Sequence, residues 1–312
     1  MKPRTSTERV AIYPDRLGFV LNSFVRVAWV SALAKSTWSS RFSCVREAVA
    51  HVEWMSVARK LRPCALFRIR SQDVEIRSGA WSTQRLAWRT LSDSSPCIGA
   101  WWLDASLARG AATKVVVVGS EPDTAAFERA WGKGDHQTMG ALLGYPACCQ
   151  LFFQEVCIAH RCIDTMWAMS EGEPHIDGRE FGRSVNGPIA SNILLQSLGI
   201  RAVPHAPCSF NCRETALVAE KLHGVASTIG FLEEYRFLYS ILSWPAEWSA
   251  LHGIAEIRTP ILKLCTPTDA TAGEYVVRWN GTGLPAEAAK GLSFPYRTSA
   301  RSRAPVLVSL TR

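Results

Sequence analysis

Two proline-led cysteine motifs constrain this chain more than any other feature: Gly144-Tyr145-Pro146-Ala147-Cys148-Cys149 and His205-Ala206-Pro207-Cys208-Ser209-Phe210-Asn211-Cys212. Proline is favoured at the first helical position, because its missing N–H is one the helix leaves unbonded anyway, so Pro146 predicts a helix running to about His160. Cys149, Phe152, Phe153 and Val156 fall on one face of that helix. Cys148 and Cys149 then occupy the first turn, where unpaired backbone N–H groups and the helix dipole favour negative charge. A thiol in such a place is expected to ionise more readily and to be a better ligand or nucleophile. The second motif follows the apolar run 200–203 and precedes a helix carrying Ala216, Leu217 and Leu222. Cys208 and Cys212 therefore sit at or just before another helix start, with Ser209 and Asn211 suited to capping it. Two helix starts, each presenting a pair of cysteines, make a coherent design for an anionic thiolate centre.

What that centre holds depends on spacing and compartment. The chain has ten cysteines, and its first ten residues are polar, without the apolar stretch or cleavage site of a signal peptide. A cytoplasmic location is the expectation, and in a reducing compartment clustered cysteines point to metal or thiol chemistry rather than disulfides. Cys208 and Cys212 have a spacing structural zinc accepts. The adjacent Cys148 and Cys149 are awkward for zinc, because neighbouring side chains on one helical turn diverge. An iron–sulfur cluster presents several metal corners over a wider body and suits an adjacent pair better. The sequence thus favours an iron–sulfur cluster on Cys148, Cys149, Cys208 and Cys212, with zinc as the alternative and metal-free thiols or plain burial left open. His205, three residues before Cys208, is the candidate catalytic partner, together with Asn192. His136, His160 and His175 are weaker acid–base candidates. Cys157 and Cys162, which bracket His160, are weaker ligand candidates, Cys157 reading as core or helix surface; Cys44, Cys64, Cys97 and Cys265, isolated among apolar neighbours, read as packing.

The rest of the chain reads as α+β, a single large domain of mixed helices and short strands with an N-terminal helical part. Apolar spacing predicts helices over 17–34 and 42–61 and a strand-rich stretch over 65–103, with Val74, Ile76 and Trp81 in strands. The KVVVVG run at 114–119 is a buried strand leading into a helix at Glu121-Pro122-Asp123. A loop over 178–187, a helix over 188–198 stopped by Gly199, helices over 214–223 and 227–244, and β-like runs at 261–264 and 275–279 complete the pattern. This divides the chain into a helical and β-rich part (1–113), a cysteine-motif core (114–244) and an α+β tail (245–312).

Composition narrows the classes. Of 312 residues, 47% are hydrophobic and 20% charged, a globular balance, and no stretch reads as membrane-spanning. The net charge of +8 raises the prospect of an anionic partner, but Lys2, Arg4, Arg9, Arg297, Arg301, Arg303 and Arg312 crowd the two ends, as solvated tails do. The Gly119-Ser120-Glu121 turn lacks the glycines of a phosphate loop.

The segment 140–222, through Gly144, Tyr145, Pro146, Cys148, Cys149, Asn192, His205, Pro207, Cys208 and Cys212, resembles an uncharacterised prokaryotic family, a domain of unknown function marked by GYPxCC and HxPCSxxC motifs. The resemblance implies a shared site and supplies no reaction. The leading expectation is a cytoplasmic metalloenzyme acting on a small-molecule substrate, with Arg201 or the Glu233-Glu234-Tyr235-Arg236 run as conceivable substrate contacts. A structural-zinc module that binds RNA or another acidic partner ranks second.

Overall fold

The computed structural model describes residues 21, 24–92, 112–270 and 274–286. The charged ends, Cys97, most of the N-terminal half of the 17–34 helix and the close of the 65–103 stretch lie outside the described residues. Within them the chain is a mixed α+β single domain.

In chain order, β1 (Arg26–Trp29) precedes the long helix α1 (Ala32–Ala58), then β2 (Cys64–Arg70), α2 (Val74–Thr83) and β3 (Ala87–Leu91). After residue 112 come β4 (Thr113–Gly119), α3 (Glu121–Lys133), α4 (His136–Leu142) and α5 (Ala147–Phe153), which continues as a π-helical turn (Gln154–Ala159). α6 (Met166–Met169), β5 (Gly182–Val185), α7 (Arg213–Thr228) and α8 (Leu232–Leu242) lead to β6 (Ala246–Leu251), β7 (Ile254–Arg258), β8 (Leu262–Pro267) and β9 (Tyr275–Trp279).

The KVVVV run becomes the centre of a three-stranded antiparallel sheet, β2-β4-β3. A strand covered on both faces needs apolar side chains at every position, and this one has them. Val116 and Val118 pack with Trp54 and Val57 of α1 and Trp81 of α2. Val115 and Val117 pack with Phe127 and Trp131 of α3 and Met139 of α4. The second sheet has the order β1-β8-β7-β6-β9-β5, antiparallel except for the β5–β9 pair. α1, α7 and α8 pack on one another over the main core.

Several sequence expectations give way to identifiable local causes. Residues 26–29 form an edge strand instead of helix, and α1 begins only after Ser31, whose Oγ accepts from the Ala34 N–H at 3.0 Å. Val74, Ile76 and Trp81 lie in α2, not in strands; Val74 and Trp81 are two helical turns apart and share its buried face, while Ile76 is 79% exposed. The expected loop 178–187 contains β5. The expected helix over 188–198 is two 3-10 turns split at Asn192, which is extended; its Oδ1 accepts from the Leu194 N–H and its Nδ2 donates to Leu242 O. α7 runs on to Thr228, so the break before α8 falls later than expected. β6 and β7 carry little strand signal because Ala, Glu and Ser are weak strand formers; His252 and Gly253, both at positive φ, close them as a two-residue hairpin.

One buried pair makes this fold pH-sensitive. Asp164 accepts from the Met166 N–H and the Trp248 Nε1–H, each at 3.0 Å, and Asp269 accepts from the Ile163 N–H at 2.7 Å. Burial, reinforced by Asp269 and opposed by the bond from Met166, pushes Asp164 from an ordinary 3.8 up to about 6. The protonated carboxyl therefore favours the folded state below pH 4, and that stability is lost as pH rises through 6. The increment is about 3 kcal/mol, from roughly two pKa units at about 1.4 kcal/mol each. Urea unfolding from pH 4 to 7 should show the wild type losing this amount relative to Asp164→Asn; parallel pH profiles would contradict it.

Candidate metal centre

The first motif is built as a turn and a latch. Gly144 has φ +68°, and a Cβ there would stand 2.8 Å from Cβ of Arg62, so both conformation and space ask for glycine. The turn carries Tyr145 across to the second motif, where its hydroxyl donates to Pro204 O at 3.0 Å and its ring lies 5.2 Å from that of His205. Pro146 opens α5 as expected, and the helix with its π turn ends at His160. On the other side, Cys212 is the residue at which α7 begins, and Cys208 lies one turn earlier in the chain. Neither Ser209 nor Asn211 caps α7, contrary to expectation: the N-cap position is taken by Cys212, and the Asn211 amide donates to Glu173. Gly187 lets the chain pass close behind this loop, since a Cβ there would stand 2.1 Å from Phe210 O.

These two segments bring the four sulfurs together. Cys148 Sγ is 3.8 Å from Cys149 Sγ and 3.8 Å from Cys212 Sγ, and Cys149 Sγ is 3.6 Å from Cys212 Sγ. With Cys208 included, all four lie within 4.8 Å of one another and could hold a metal ion. The expected divergence of Cys148 and Cys149 does not occur. Their Cα–Cβ bonds are about 100° apart around the helix, but rotation about χ1 swings both sulfurs toward the shared centre.

Without a cation the four thiols compete for one negative charge. Hydrogen bonds from Cys149 and Cys208 draw the Cys212 thiol well below its ordinary range. The same bonds, with burial, push Cys149 far up. Burial and the Cys212 charge raise Cys148. For Cys208 the bond with Cys149 lowers the value, but Cys212 and burial outweigh it and set it at about 12. The expectation that helix placement eases ionisation of Cys148 and Cys149 is thus overturned, because mutual crowding outweighs the helix end. A divalent cation among these sulfurs is what would bring the remaining protons off.

Around the sulfurs lies a second tier of contacts. Thr215, on the first turn of α7, has its Oγ1 3.6 Å from Cys149 Sγ and 3.0 Å from His205 Nε2. Nothing singled out Thr215 in the sequence beyond its position three residues after Cys212. His205 is 4% exposed, and burial, opposed by the Cys212 charge, pushes it down to about 3, so the ring is neutral; its Nδ1 is buried with no hydrogen-bond partner. Asn192 is engaged with the backbone at Leu194 and Leu242. Arg201 donates to Glu53 Oε1 at 3.0 Å. Glu233 and Arg236 form an exposed ion pair on α8. His175 is held by Arg183, and His160 is exposed. Cys64 and Cys162 are buried and Cys157 and Cys265 partly so, whereas Cys44 is exposed on α1, against the packing expected of it.

A cavity of about 130 Å³ opens beside the centre, with Cys149, His136, Tyr145, Gln150, Arg201 and His205 on its wall. Most of the remaining lining is apolar, from Leu66, Phe127, Trp131, Met139, Leu143 and Phe153. The three-stranded sheet, α3 and α4 therefore form one side of the cavity and the two cysteine motifs the other. No helix among the described residues is long and apolar enough to cross a membrane. No family model, no curated protein and no solved structure matches the chain.

Proposed function

We propose that the chain is a metalloprotein holding a single tetrahedral ion, with zinc the preferred metal, on Cys148, Cys149, Cys208 and Cys212. The observation that carries this reading is the sulfur spacing of 3.6–3.8 Å among Cys148, Cys149 and Cys212. Sulfurs at about 2.3 Å from one zinc form a tetrahedron with edges of about 3.8 Å. An iron–sulfur cluster sets its thiolates on separate irons across a wider body, so the cluster favoured by the sequence fits this spacing less well. Four thiolate ligands leave no open position, which supports a structural role in place of the catalytic one first expected.

When bound, zinc supplies two positive charges that stabilise the four thiolates and cross-link the segments carrying them. Thr215 then orients Cys149, His205 orients Thr215, and Tyr145 ties the first motif to Pro204, so the chain's own groups keep both segments in register. The cavity wall formed by Tyr145, Cys149 and His205 is fixed by the same contacts, which supports small-molecule binding there as the working part of the protein. A cytoplasmic, reducing setting keeps the thiols available.

Metal and acid-labile sulfide analysis of anaerobically purified protein, with its absorption spectrum, tests the reading. One zinc per chain, no sulfide and no visible colour are expected. Each single Cys→Ser change at the four positions should lower metal content, and Cys162→Ser should not. A brown protein with iron and sulfide would replace the single ion by a cluster, and a protein without metal would end the reading.

A further inference from the structure

We propose that the cavity beside the cysteine centre binds a neutral, ring-sized apolar molecule, and that this binding and metal binding strengthen each other. The proposal rests on the metal-held thiolate reading above, because the metal is what would cross-link the two segments that form one wall.

Size and lining set the class of ligand. The cavity of about 130 Å³ is close to one of about 150 Å³ in another protein that takes up benzene. Phe127, Trp131, Met139, Leu143 and Phe153 give it aromatic and flexible apolar surfaces, and apolar area buried against them is the driving force for a flat ring. Among the described wall residues, Arg201 carries the one permanent side-chain charge, and it donates to Glu53 at 3.0 Å. His136 meets the ring of Phe153 edge-on, with centroids 6.1 Å apart. Burial, opposed by Asp135, lowers the pKa of His136 from 6.5, so its ring is mainly neutral at neutral pH. A charged ligand would therefore leave water for a mostly apolar wall, a cost that a neutral ring avoids.

Coupling follows from which segments supply the walls. On one side stand Leu66 of β2, Phe127 and Trp131 of α3, and Met139 of α4. The facing side comes from the two cysteine-bearing segments: Tyr145 and Cys149 from the first, Pro204 and His205 from the second. These segments touch where the Tyr145 hydroxyl donates to Pro204 O at 3.0 Å. A metal ion held by the four sulfurs adds a cross-link along the same seam, so the loaded chain keeps this wall in its ring-binding form for a larger share of the time. A ring that prefers this form then raises the affinity for the metal by the same factor, because coupling between two binding sites is reciprocal.

Fluorine NMR titrations of the zinc-loaded protein with fluorobenzene, 4-fluorobenzoate and 4-fluorobenzylamine read the ligand class. Saturable binding of fluorobenzene is expected, with a Kd of about 1 mM or below. The anionic and cationic rings should each bind about tenfold more weakly or worse. Location is read without any variant of the cavity: in cobalt-substituted protein, the signal of bound fluorobenzene should shift and relax faster than in the zinc form, because Cys149 belongs to both centre and wall. Coupling is read by competing for zinc with a chelator of known affinity: saturating fluorobenzene should tighten zinc by about fivefold or more. Metal-loaded protein without saturable fluorobenzene binding, with a charged ring bound as tightly, without the cobalt effect, or with zinc affinity unmoved by the ring would overturn the cavity proposal and leave the metal reading standing. Protein that takes up neither metal would overturn the metal reading and, with it, the coupling.

Discussion

Removing the proposed metal, by chelation or by Cys149→Ser, should give the largest loss of stability of any single change at the cysteine centre. Cys149 is buried, touches Cys148, Cys212 and Thr215, and lines the cavity, so its sulfur joins the cysteine centre to everything around it. Structural zinc contributes about 10–16 kcal/mol in small peptides that have no other means of folding. This chain has a large core of its own, so only a fraction of that value is expected to appear, about 4 kcal/mol or more. For a domain of this size that corresponds to a fall in Tm on the order of 10 °C. Calorimetry on protein with and without its metal checks the magnitude, and limited proteolysis checks the place: cleavage should appear first between the two motifs, in the segment 160–212. An unchanged Tm after complete metal removal would show that packing alone holds the segments together.

The second large effect is expected at Glu53. It lies within α1, 2% exposed, with Arg201 Nη2 at 3.0 Å and Arg62 Nη2 at 3.9 Å. Arg62 is itself buried and is held twice more, by Ser56 Oγ and by Glu53 O, each at 2.7 Å. Burial alone would drive the Arg62 guanidinium toward its neutral form, and the Glu53 charge opposes that. Glu53→Gln leaves the shape and deletes the charge, so Arg62 remains buried beside a second guanidinium with nothing to compensate it. Breaking one partner of a buried pair costs about 3–5 kcal/mol. Urea unfolding of Glu53→Gln, Arg62→Met and the double variant provides the check: the double variant should be less destabilised than the sum of the two singles. Additive losses would mean that the pair contributes packing and not charge.

How much of this was legible in the sequence varies by element, for physical reasons. The valine run of β4 declared a buried strand, and Glu121-Pro122-Asp123 declared the start of α3, since both signals are local. Pro146 likewise marked where α5 begins. Asn192 misled because its spacing suits a helix while its side chain bonds the backbone two residues on and a carbonyl of α8, a long-range partner that spacing cannot reveal. Val74 and Trp81 misled because seven residues fit either a helix face or loose alternation. At the centre, the four cysteines were readable as a set. That Cys148 and Cys149 turn to the same side was not, since it depends on side-chain rotation and on where α7 stands. Thr215 was invisible because a threonine in a helix's first turn is common, and only its neighbours make it a link between sulfur and imidazole.

The pairing of β1 with β8 has a consequence for synthesis. Val27 finds its place beside Leu264, so a strand made early in translation waits for one made much later. Until then it presents open hydrogen-bonding edges to whatever is nearby, a standing invitation to wrong pairing in the nascent chain. Arg26, at the start of that strand and exposed, is the kind of residue that discourages such pairing. The six-stranded sheet is therefore completed only after nearly all of the described chain has left the ribosome, whereas the β2-β4-β3 sheet, with its partners close in sequence, can form while translation continues.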